Sequence, residues 1–98
     1  MDRYIPTPQA GEILWDEFME PMGISAYKLA HETRVPTSRI QDILHGRRKI
    51  TADTSLRLGK YFGVSDRFFL NLQSDVDLRT AKENIQTDLD KIQPYQAV

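Results

Sequence analysis

Apolar residues along this 98-residue chain recur at helical spacing, and no stretch alternates with the period of two that a half-buried strand requires. Ile13, Leu14 and Phe18 fall on one face and predict a first helix over 8–20, with Thr7 as N-cap and Pro8 at the first helical position, where its missing N–H costs nothing. Pro6 and Pro8 hold the lead-in extended. Glu20-Pro21 should end the helix, and Gly23 should let the chain turn. A second helix is expected over 26–33, capped by Ser25, with Leu29 and Ala30 inward; Ala30 is small, as a close helix crossing demands. A third over 36–45 buries Ile40, Ile43 and Leu44 and stops at Gly46. A fourth follows Thr51 as N-cap and ends at Gly63, with Leu56, Gly59 and Phe62 on one face and Ala52 and Ser55 beside it. A fifth is capped by Ser65 and carries Phe68, Phe69 and Leu72. Short loops between five helices make the expected fold all-α, a compact bundle.

From Asp75 on the pattern changes. Leu78, Ala81, Ile85, Leu89 and Ile92 recur at spacings of 3, 4, 4 and 3, an amphipathic helical stripe that Pro94 should end. A lone helix of that length is marginal in water, so its stripe needs a partner surface: its own domain, a second copy, or another protein. The expected organisation is therefore a helical domain over 1–74, with a helical hairpin near 25–46, and a C-terminal helical extension over 75–98 that serves interaction.

Charge narrows the function. The chain has a formal net charge of −1, which argues against non-specific nucleic-acid binding by the whole surface. The window from Lys28 to Lys60, however, holds eight Lys/Arg against three acids, and the remainder five against eleven. One part is suited to approach phosphate and the rest is not. There is no cysteine, hence no disulfide framework or thiolate metal site, which fits a reducing cytoplasm. The polar N-terminus MDRYIPTPQ does not read as a signal peptide, and no apolar run approaches the roughly 20 residues of a membrane span.

The second and third helices, joined by a tight turn and followed by Arg47, Arg48 and Lys49, have the pattern of a helix-turn-helix, whose second helix enters the DNA major groove. The side of the third helix opposite its apolar stripe carries Ser38, Gln41, Asp42 and His45, flanked by Thr37 and Arg39. Expected base contacts are Thr37, Ser38, Arg39, Gln41 and Asp42. Arg39 suits guanine and Gln41 adenine, while Asp42 either accepts from cytosine N4 or orients Arg39. Arg39 could alternatively be consumed in an ion pair with Asp42, and Thr37 in capping the helix. Arg47, Arg48 and Lys49 are expected on phosphates, the contacts that supply affinity without reading sequence. His31 and His45 lack the neighbours of a metal site, Ser25 and Ser65 lack a base partner, and Trp15, Phe68 and Phe69 read as core. No cofactor and no catalytic group are expected.

The blocks GEILWDEFMEPMGIS, LAHETRVPTSRIQDILHGRRKITADTSLRLGKYFGVS and FFLNLQSDVDLR resemble the HigA antitoxins, also called the VapI or virulence-associated protein I family, within the phage-repressor-like helix-turn-helix group. The resemblance implies a five-helix lambda-repressor-like domain, a homodimer on double-stranded operator DNA, repression of the chain's own operon, and a cognate HigB-like toxin of the RelE ribonuclease type. A stand-alone regulator, or an interaction module that has lost DNA, is the alternative. The chain departs from the family pattern in two places, the turn and the fifth helix. The turn position often held by Gly is Arg34, which costs about 1 kcal/mol if it keeps a positive φ. The fifth helix, which commonly opens with Pro and carries Trp, has Asp66 and Phe69.

Overall fold

Four helix ends are closed by one backbone device. A residue in the left-handed region (Gly23, Arg34, Gly46 and Gly63, φ 63–74°) is followed by one whose N–H reaches a carbonyl five residues back. The bonds are Ile24 to Met19 at 2.9 Å, Val35 to Ala30 at 3.0 Å, Arg47 to Asp42 at 2.8 Å and Val64 to Gly59 at 2.9 Å. These are Schellman closures, which satisfy carbonyls that would otherwise be orphaned. Glycine takes that conformation without penalty at three of them; Arg34 takes it too, at φ 63°, and bears the strain.

The computed structural model describes residues 8–96, and every regular element among them is helical. Helix α1 is a continuous stretch over 10–22: α-helical Ala10–Leu14, π-helical Trp15–Met19, and α-helical Glu20–Met22. It starts two residues later than expected, with Gln9 at the N-cap; Thr7 lies outside the described residues. It also runs through Pro21 instead of stopping there. Proline has no N–H to give and its ring crowds the carbonyl four residues back, and the wider winding just ahead of it accommodates both. The extra residue in that turn rotates later positions, so Met19 joins Leu14 in full burial while Ile13 and Phe18 are half-buried.

Helix α2, Ala26–Thr33, begins as expected: Ser25 Oγ accepts from the Lys28 N–H at 3.1 Å. Helix α3, Thr37–Leu44, buries Ile40 and Ile43 and half-buries Leu44. Helix α4, Ala52–Phe62, faces the core with Ser55, Leu58 and Gly59. Leu56, expected beside Gly59, is 52% exposed. Helix α5, Phe68–Asp90, crosses positions 74–75 without a break, so the fifth helix runs on into the C-terminal stripe; Ile85 (φ −120°, ψ 16°) kinks it into two helical stretches, and it ends at Asp90, short of Ile92 and the expected stop at Pro94.

Packing follows from small residues at crossings. α2 lies chiefly against α3, α4 against α5, and α1 against both α3 and α5. A Cβ on Gly11 would sit 2.0 Å from the Ile43 carbonyl oxygen, so α1 rests directly on the backbone of α3. Phe69, fully buried, meets Phe18, Phe62 and Phe68 at centroid distances of 5.0, 5.9 and 5.1 Å. Phe68 and Trp15, both expected in the core, are 42% and 39% exposed at its edge. α5 starts two residues after the expected point. Ser65 Oγ accepts from the Arg67 N–H in the preceding turn. The cap comes instead from buried Ser55 on α4, whose Oγ accepts from the Leu70 N–H at 2.9 Å and donates to the Asp66 carbonyl at 2.6 Å.

Candidate nucleic-acid interface

The site is a helix face and the loop that leaves it. Burial of Ile40 and Ile43 fixes the roll of α3, so Ser38, Gln41 and His45 point to solvent while Thr37 and Asp42 are half-exposed. Pro36 occupies the N-cap, and among the described residues no side chain, Thr37 included, makes a capping bond there. The orphan N–H groups at that end are left for water or an anion. At the other end His45 Nδ1 donates to the Gln41 carbonyl at 2.7 Å. The loop 46–50 then leaves α3 through the Gly46 closure and carries Arg47, Arg48 and Lys49, all exposed.

Two pairings differ from expectation. Arg39 does not pair with Asp42. Its Nη1 donates to Asp53 Oδ1 on α4 at 2.8 Å, its side chain is 27% exposed, and its Nε is buried without a partner among the described residues. Asp42 instead accepts from Arg47, with Nε at 3.1 Å from Oδ1. The reason is geometric: the Gly46 closure folds the chain back over the last turn of α3 and brings Arg47 beside Asp42, while the first turn of α4 passes Arg39. Arg48 has no side-chain partner among the described residues, and Lys49 Nζ lies 3.3 Å from Asp77 Oδ1 on α5.

Asp53 is the hub behind the face. The same oxygen that holds Arg39 accepts from Arg57 Nε at 2.7 Å, and Arg57 Nη1 donates to the carbonyls of Thr33 at 2.9 Å and Arg34 at 3.3 Å. One carboxylate thus ties the turn between α2 and α3, the first turn of α3 and the start of α4. Its hydrogen bonds from Arg57 and then Arg39 hold the Asp53 carboxyl below the usual carboxylate range. The i,i+4 spacing of Asp53 and Arg57 is visible in the sequence; that the pair reaches across to Arg39 and the turn is not. Gln73 and Asp77, which reach the cation loop from α5, carry no local signal at all.

Five helices among the described residues, the second and third forming a bihelical hairpin and the third presenting a polar face beside a cation loop, define a helix-turn-helix protein of the phage-repressor type. The helix-turn-helix family model matches residues 17–69. The chain is 45% identical over 83 residues to virulence-associated protein I of Dichelobacter nodosus, covering 85% of this chain and 77% of that one. It superposes with a TM-score of 0.84 on an addiction module antidote protein of the HigA family from Coxiella burnetii, at 40% identity over 93% of this chain and 100% of the other. It superposes equally, at TM-score 0.84 and 37% identity over 92% and 99%, on the Pseudomonas aeruginosa antitoxin HigA solved with the higBA promoter. The chain belongs to the HigA antitoxin family, a family of DNA-binding regulators and not of enzymes. No helix among the described residues is long and apolar enough to cross a membrane.

Proposed function

We propose that this chain is the antitoxin of a toxin–antitoxin pair, which represses its own operon as a homodimer and neutralises a RelE-like ribonuclease. The observation that carries the DNA half is the exposed face of α3 set beside a loop of three cations, in a chain similar to an antitoxin solved on a promoter. Ser38 and Gln41 read base edges, with Thr37 at the groove-entering end of the helix. Asp42 and Arg39 reach bases only by leaving the partners they hold in the free protein, Arg47 and Asp53. Arg47, Arg48 and Lys49 hold the phosphates. A twofold dimer sets two copies of α3 about 34 Å apart on a palindromic site, and repression is occlusion of the promoter.

The segment 75–98 serves interaction: Leu78, Ile85 and Ile92 are open and its charges are net acidic, which suits a basic ribonuclease. The test is a salt titration on the fragment upstream of the chain's own gene. Replacing Arg47 and Arg48 together with Ala should weaken binding to operator and random duplex alike and lower the slope of log K against log salt by about 1.8, roughly 0.9 per phosphate lost. An unchanged slope removes these residues from the interface. Co-purification with the product of a neighbouring gene, expected to encode a short basic ribonuclease, tests the toxin half.

A further inference from the structure

The loop that carries the cations is clamped from α5. The Ile50 N–H donates to Gln73 Oε1 at 2.9 Å in a buried position, and Gln73 is 7% exposed. Gln73 Nε2 then donates to Asp77 Oδ1 at 3.0 Å. That same oxygen lies 3.3 Å from Lys49 Nζ. Both ends of the Gln73 amide are occupied, so its orientation is set by its partners. Asp77 is therefore a carboxylate steadied by a buried amide. Lys49 sits one residue before the clamped N–H, so its backbone is steadied by the same amide. Their meeting is built into the packing of α5 on the loop.

We propose that Asp77 is an internal competitor for DNA phosphate at Lys49, held in place by Gln73, so that α5 sets how much of the cation loop DNA can use. The proposal rests on the DNA-binding reading above. The ion pair is open to water on both sides, with 72% of the Lys49 and 40% of the Asp77 side chain exposed. Such pairs are weak and exchange readily. A phosphate approaching Lys49 meets the carboxylate as a like charge, so docking must draw the ammonium off Asp77. Asp77 then keeps Gln73 Nε2 and water as donors. The device lowers affinity for any duplex without touching a base, and it leaves sequence reading to α3.

A double-mutant cycle on the full chain tests this, with a short random-sequence duplex as probe and fluorescence anisotropy at several salt concentrations as readout. Asp77→Asn removes the charge and keeps an oxygen for Gln73 to bond; Asp77→Ala serves as a second variant if Asn disturbs that amide. Circular dichroism checks that each variant folds. The expected result is about two- to fivefold tighter binding by D77N, with the gain absent when Lys49→Ala is also present. A gain that persists without Lys49 is a diffuse charge effect and overturns the proposal, as does no gain. If wild type binds duplex with a normal salt slope and D77N matches it, only this inference falls. If wild type binds no duplex, including its own upstream fragment, the DNA-binding reading falls with it.

Discussion

The helix-turn-helix and the far half of α5 both carry apolar residues at helical spacing, and they end up in opposite environments. In the first, Leu29, Ala30, Ile40 and Ile43 are buried at or below 1% exposure. In the second, beyond Val76, Leu78 is 69% and Ile85 45% exposed, and Ile92, just past the helix end, is 65% exposed. The difference is reciprocity. The stripes of α2 and α3 face each other across a turn too short to let them part, and α1 and α4 close the remaining sides. The stripe of α5 outruns the domain that anchors its first two turns and has no facing stripe within the described residues. Periodicity announces a surface to be covered; chain connectivity decides whether the cover comes from the same molecule.

Removing the same kind of side chain from each region gives the sharpest contrast. Ile40→Ala should cost about 2–5 kcal/mol in urea denaturation, because its side chain, 1% exposed, is part of the core beneath the helix-turn-helix. Ile85→Ala should change monomer stability by at most about 0.5 kcal/mol. A large loss at Ile85 that grows with protein concentration would mean that a second copy covers the stripe, and would turn the contrast into one between intra- and intermolecular packing.

The turn itself offers a smaller effect. Arg34 has φ 63° and no side-chain bond among the described residues. Arg34→Gly should therefore stabilise by up to about 1 kcal/mol, read as a higher urea midpoint at unchanged slope. A loss would mean that the Arg34 side chain contributes more than its backbone strain costs.

The smallest effect is one of pH. Asp53 has a folded-state pKa depressed by its bonds from Arg57 and Arg39. Its contribution to stability is complete above the ordinary carboxylate value and is lost as pH falls through the lower folded value. Asp53→Asn should flatten that acid limb in pH-dependent melting and loosen the tie between the turn and α3. An acid limb identical to wild type would remove Asp53 from its role as hub.

The local code of this chain was legible where physics is local. Left-handed closures at Gly23, Gly46 and Gly63, the Ser25 cap, the inward stripes of α2 and α3 and the exposed position of Gln41 all follow from backbone conformational preference and 3.6-residue periodicity. So did the separation of charge that singles out 28–60. What the sequence left undetermined depends on elements distant along the chain. The shift of register at the π turn placed Met19 inside, the packing of α5 on α4 made Ser55 rather than Ser65 the cap, and the passage of α4 beside α3 gave Arg39 to Asp53 and not to Asp42. A side chain four residues away can be found by counting, whereas one twenty or more residues away, such as Gln73 at the cation loop, is found only by folding the chain, because tertiary packing and not spacing sets that distance.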